Sequence, residues 1–170
     1  KISQFTNDRP ELRSAEENEP RQITGYAARF YDGTPETEYR IGENMVERIA
    51  PTAFDNISRD VISTFNHDLN QILGRQSAGT LSLEVDDRGL RYSVPIDEND
   101  PDHQRVVAKI KSGAVSGSSF WFSINREKRS TEGDLQVFQL DEVTLFEAGP
   151  VTQPAYSGSS SELRAEAAEP

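Results

Sequence analysis

A chain of 170 residues is long enough for one domain with one sizeable core, and a hydrophobic content of 34% leaves part of it as polar tail. A formal net charge of -11, from 29 acidic and 18 basic residues, repels phosphate backbones and argues against a nucleic-acid partner. The absence of cysteine excludes disulfides, thiolate nucleophiles and zinc–cysteine sites, and no run of about 18 apolar residues is present to span a membrane.

Residues 1–20 read as a polar arm that ends at Pro20, since "ELRSAEENEP" has no clear apolar face. The first residues also lack the apolar stretch of a signal peptide. "ITGYAARF", from Ile23 to Phe30, alternates as a strand does. A helix is expected to begin near Pro51-Thr52, with Thr52 as its cap. "VISTF", from Val61 to Phe65, is a short apolar strand that runs into the turn-prone "NHD". The clearest hairpin follows. Leu81, Leu83 and Val85 alternate, Asp87-Arg88-Gly89 turns, and Leu90, Tyr92 and Val94 alternate back.

A second helix spans about Asp102 to Lys111, with Val106, Val107 and Ile110 on one face and Gly113 as its stop. That apolar face suits either the core or a dimer contact. "SFWFSI" (Ser119 to Ile124) and "LQVFQLDEVTLFEAGPV" (Leu135 to Val151) supply the last strands. Residues 157–170 are small, polar and acidic and read as a flexible tail, which leaves 21–156 as the folded domain. The sum is an α+β chain, mainly β. It is expected to form an antiparallel β-barrel with a few helices packed around it.

Catalysis by a hydroxyl needs a base to take its proton and a group that holds the base in one tautomer. Only two histidines are available as base, and they are too few for a histidine-rich metal centre. His67 stands at a strand-to-loop junction, where functional groups are often displayed, although a structural turn histidine is the commoner use of such a position. His103, in "DPDHQR", reads as a solvated helix-start residue. The hydroxyl candidates lie in "SGAVSGSSFWF", where Gly117, Ser118 and Ser119 precede an aromatic strand. Glycine there lets a substrate approach closely and aims backbone N–H groups at an oxyanion, while the bland reading is an ordinary Gly/Ser turn. Asp68, Asp141, Glu142, Glu147 and His103 are open as the orienting group. Glu147 sits in the apolar "LFEAGPV", and its alternation with Val143 and Leu145 puts it on their face, pointing inward. A lone carboxylate there needs a partner. An edge-strand glutamate facing solvent is the alternative.

Five blocks, in order, resemble the HK97-type phage prohead protease family over residues 22–156. They are "ITGYAARF", "VERIAPTAFDN", "FNHDLNQILGRQSAGTLSLEVDDRGL", "VSGSSFWF" and "EAGPVTQPAY". The resemblance implies a herpesvirus assemblin-like fold and a serine endopeptidase that cuts scaffold segments and capsid protein inside the assembling procapsid, in the host cytoplasm. It also implies self-cleavage and a homodimer, and it needs no cofactor or metal. The family histidine carries over onto His67 and the nucleophile onto Ser119, which immediately precedes Phe120. The third member carries over onto Glu147. Oxyanion or substrate contacts would come from Gly117, Ser118, Arg126 or Arg129. Two positions depart from the family pattern: Trp121 stands where a small residue is usual, and Gly149 where serine is often found. A catalytically inactive capsid-assembly or scaffold protein on the same fold is the rival reading, and a ligand-binding β-barrel a weaker one.

Overall fold

The structure, a computed structural model, describes residues 2–6 (backbone only), 8–14 and 21–152. The tail read at 157–170 lies outside the described residues. β1 (Ile2–Thr6) and β2 (Glu11–Arg13) fall within the stretch read as a polar arm. Each is an end strand joined to its sheet by backbone pairing, which needs no hydrophobic pattern to form.

β3 (Gln22–Arg29) is the first strand with a buried pattern, because Ile23, Ala27 and Ala28 are fully covered. β4 (Tyr39–Gly42) and β5 (Met45–Ile49) form a short antiparallel pair. No helix follows at Pro51-Thr52. The segment turns instead and directs its polar groups outward. The Thr52 hydroxyl donates to the Asp141 carbonyl (2.8 Å), and the Ala53 carbonyl accepts from the Val143 N–H (3.1 Å). Those bonds to a distant strand take the place of a helical ladder, and they seat Ala53 and Phe54 in the core.

β6 (Ile62–Thr64) and β7 (Ile72–Arg75) flank the "NHD" turn. β8 (Ser82–Val85) and β9 (Gly89–Pro95) form the expected hairpin, with Leu83 opposite Tyr92 and Val85 opposite Leu90. Asp86 closes its turn, because its carboxylate accepts from the N–H groups of Arg88 (2.8 Å) and Gly89 (3.0 Å). Only glycine fits at 89: φ is 156°, and a Cβ would lie 2.0 Å from the Ala28 carbonyl oxygen.

The helix α1 (Pro101–Ser112) is capped by Asp100, which accepts from the Asp102 N–H, and stops at Gly113 in the left-handed region. Val106, Val107 and Ile110 are buried against the chain's own core, so this face is occupied within one chain. His103 is not a solvated residue. It is buried, accepts from the Asp97 N–H at Nδ1 (2.9 Å) and donates from Nε2 to the Leu73 carbonyl (2.8 Å).

Two long strands complete the described residues. β10 (Gly117–Glu132) and β11 (Leu135–Val151) make an antiparallel ribbon. One sheet runs β1-β10-β11-β5-β4, with β6 also on β11 and β7 on β6; the other runs β2-β3-β9-β8. Both sheets are open, which corrects the closed barrel expected above. A barrel needs every edge paired, and here, among the described residues, the end strands of each sheet have one paired neighbour. Nor is pairing wholly antiparallel, because β11 takes β5 and β6 in parallel. The core fills the space between the sheets and α1, with Phe120 stacked on Phe122 (4.6 Å) and edge-on to Phe54 (5.6 Å). Among the described residues no helix is long and apolar enough to cross a membrane.

Candidate active site

The buried end of the ribbon holds the chemistry. Side chains alternate across a strand, so on β10 Ser118, Phe120 and Phe122 point one way and Ser119 and Trp121 the other. The first set faces the core. Ser118 is tied there to the Tyr92 hydroxyl (2.9 Å), and Gly25 makes the approach possible, because a Cβ at 25 would lie 2.9 Å from both oxygens. Burial pushes the Tyr92 phenol well above its ordinary pKa, with the Ser118 hydrogen bond opposing, so this pair is a neutral one.

Ser119 faces away from that pair, toward His67. The Ser119 Oγ lies 2.6 Å from His67 Nε2, and His67 Nδ1 is hydrogen-bonded to Glu147 Oε2. Glu147 Oε1 accepts from the Thr64 N–H (3.2 Å) and from the Thr64 hydroxyl (2.9 Å). Glu147 is 1% exposed, and these three bonds offset the desolvation of a buried carboxylate.

Glu147 reaches this face through a β-bulge. Trp121 pairs with Glu147, but the next residue, Phe122, pairs with Leu145, so Phe146 is extra. Trp121 and Phe122 point to opposite faces, and their partners must do likewise. Glu147 is therefore inward-pointing but on the face opposite to Leu145, against the simple alternation read from the sequence. Thr64, which fixes the carboxylate, carried no signal in the sequence; it meets Glu147 only because β6 runs beside β11.

The histidine is presented by a strained turn. Asn66 (φ 55°) and His67 (φ 58°) are both left-handed, at a cost on the order of 1–3 kcal/mol each. Bonds on either side hold the turn. The Asn66 N–H donates to the Pro150 carbonyl (3.1 Å). The Asn66 side chain donates to the Thr152 hydroxyl (2.9 Å) and accepts from the Thr152 N–H (2.7 Å). Asp68 serves the same turn and does not face the imidazole. Its carboxylate accepts from Gln71 Nε2 (2.9 Å) and from the Asn70 N–H (2.9 Å), with the Gln71 bond foremost in holding it below the usual carboxylate range.

Gly149 also proves to be a matter of space. A Cβ there would stand 2.5 Å from the Thr64 carbonyl oxygen and 3.3 Å from Glu147 Oε1. Trp121 is half-buried with its ring 5.7 Å from the His67 ring, on the site's face rather than in the core.

Other sequence candidates lie elsewhere. Arg126 is seven residues along β10 from Ser119, about 23 Å at strand rise, and Arg129 about 33 Å. Arg126 pairs with Glu142 (3.1 Å) and Arg129 with Glu127 (2.9 Å), so neither reaches the site as an oxyanion donor. Asp141 is held by Gln139 and Lys128 on the same distant part of the ribbon, so neither it nor Glu142 can orient His67. Gly117 and Ser118 are beside Ser119 on the strand, their backbone in the ladder.

A serine hydroxyl, an imidazole and a buried carboxylate joined in one hydrogen-bonded line can activate the hydroxyl as a nucleophile. The model of the family described as caudovirus prohead serine protease matches residues 9–170. No curated protein and no solved structure matches the chain.

Proposed function

The chain belongs to the caudovirus prohead serine protease family, a family of proteolysis in capsid maturation, and on that premise we propose that it is an endopeptidase with Ser119 as nucleophile, His67 as general base and Glu147 as the group that orients the imidazole. One observation carries this reading: His67 Nε2 stands 2.6 Å from Ser119 Oγ while Nδ1 is held by Glu147. A carboxylate beside Nδ1 favours the tautomer with hydrogen there, which in this reading leaves the lone pair on Nε2 for the hydroxyl.

Ser119 Oγ attacks the scissile carbonyl carbon as its proton passes to Nε2. The imidazolium is stabilised by Glu147, then gives that proton to the leaving amine as the C–N bond breaks. Water repeats the sequence on the acyl-enzyme. The substrates proposed are capsid protein and scaffold segments, with self-cleavage in the polar tail. A homodimer as the active form, also proposed, would show as specific activity that rises with concentration.

The test is incubation of the chain and its Ser119→Ala variant with the cognate capsid protein, read by intact mass. Wild type should cut, and the variant should lose about 10⁶-fold in rate. Cleavage by both moves the nucleophile away from Ser119. The rival reading, an inactive assembly protein, draws on one fact: Ser119 is 0% exposed. It predicts no cleavage by either chain under any condition.

A further inference from the structure

A nucleophile with no exposed surface cannot meet a polypeptide substrate. His67, its hydrogen-bond partner, keeps 18% of its side chain exposed, so the site meets solvent at the histidine, while the edge of β10 that carries Ser119 is taken up by pairing. What lies along the strand is β1. It pairs antiparallel with β10 in the register Gln4 opposite Phe120, Phe5 opposite Ser119 and Thr6 opposite Ser118.

The direction of the backbone groups gives this pairing its meaning. In an antiparallel ladder, the N–H and C=O of one residue point to the same side, and successive residues point to opposite sides. Pro150 is opposite Ser118 on β11, has no N–H, and gives its carbonyl to Asn66 on the far side. Pro150 therefore faces away from β10, and the bonded pair with β11 is Ser119 with Gly149. By alternation, Ser118 and Phe120 turn their N–H and C=O groups to the other edge, where β1 runs. These two residues bracket the nucleophile. Without β1 they would form an open strand edge centred on Ser119, the kind of edge to which an extended peptide adds as another strand.

We propose that the edge of β10 from Ser118 to Phe120 is the seat of an extended peptide substrate, added as an antiparallel strand, and that β1 fills this seat in the free chain and keeps the enzyme latent until it is displaced. The proposal rests on Ser119 being the nucleophile. β1 suits the role of a removable occupant: it has five residues and, among the described residues, lies at the end of its sheet with a single paired neighbour. Short end strands open locally at low cost compared with central ones. Main-chain pairing binds peptides of many sequences, so a substrate delivered at high local concentration competes with β1 by mass action.

The experiment uses the full chain and a fluorophosphonate that labels an activated serine, with labelling at Ser119 followed by intact mass and peptide mapping. Gln4→Pro removes an N–H that pairs with Phe120 and should raise the labelling rate roughly tenfold, one ladder bond's worth. Gln4→Gly, which only weakens the strand, should fall between this variant and wild type. A synthetic hexapeptide of residues 1–6 should slow labelling of the Gln4→Pro chain back toward the wild-type rate. Equal, His67-dependent labelling of all three chains would overturn the occlusion and leave the protease reading intact. No labelling in any chain, while the Ser118 and Phe120 amides of the Gln4→Pro chain exchange freely with solvent, would sink the protease reading and the proposal with it. If Gln4→Pro fails to fold, the Gln4→Gly chain decides by the same ordering.

Discussion

The ribbon of β10 and β11 keeps one antiparallel pairing from end to end, yet its two ends are different places. At the end near residues 117–122, Ser118, Ser119, Phe120, Phe122, Leu145, Glu147 and Ala148 are all buried. At the other, residues 125–126 and 128–134 of β10 and its turn are exposed and carry charge pairs such as Arg126 with Glu142, over a β11 whose Val137, Phe138 and Leu140 are buried. Pairing is common to both, so pairing does not make a site. The difference is cover: the buried end has the second sheet on one face, and on the other the His67 turn, which β6 carries in from beside β11. A hydrogen bond in that low-dielectric setting is strong and an unpaired group costly, whereas an exposed ion pair is screened and contributes about 0–1 kcal/mol.

Four substitutions probe the contrast, in falling order of effect. Glu147→Gln keeps the shape of the buried end and should lower kcat by about 10⁴-fold, because the amide no longer holds the Nδ1–H tautomer. Peptide hydrolysis with the His67 ring nitrogens followed by NMR checks it, and an unchanged tautomer would speak against the orienting role. Gly149→Ser introduces a Cβ where the Thr64 carbonyl already is, and so displaces the residue that grips Glu147. It should lower kcat by about 100-fold and stability by about 1–3 kcal/mol; a thermal melt and a rate measurement suffice. Ser118→Ala separates the two faces of one strand. It leaves the Tyr92 hydroxyl buried without its Ser118 partner and should lower stability by about 1–3 kcal/mol in a urea titration, while Ser119 labelling is unchanged. Arg126→Ala, on the exposed end, should shift stability by less than about 0.5 kcal/mol and leave the rate within about twofold. A large loss there would erase the distinction between the ends.

Much of the architecture was legible in the sequence where short-range rules act alone. The 8–9 hairpin follows from alternation on both sides of Asp87-Arg88-Gly89, and α1 from the spacing of Val106, Val107 and Ile110 before Gly113. The turn at Pro51-Thr52 shows the limit of such rules. Thr52 carries a helix-cap signal, but its hydroxyl is taken by Asp141, 89 residues away, and that bond is invisible to any local window. His103 shows the same limit from the other side, since a polar residue in a polar run is buried by the Leu73 carbonyl and the Asp97 N–H.

At the site, the residue types and their order along the chain belong to the sequence. Histidine, serine and glutamate, with glycine and small residues around them, stand in five blocks that resemble one family. Which groups meet was decided in three dimensions. The bulge at Phe146 turns Glu147 onto the face of Ser119, Thr64 arrives beside it on a parallel strand, and Asn66 anchors a strained turn to the end of β11. Strand alternation has a period of two and is reversed by one inserted residue, which no composition or spacing announces. Pairing between strands 50 to 120 residues apart is likewise set by burial and ladder bonds available only in the folded chain, and it is there that β1 comes to lie against Ser119.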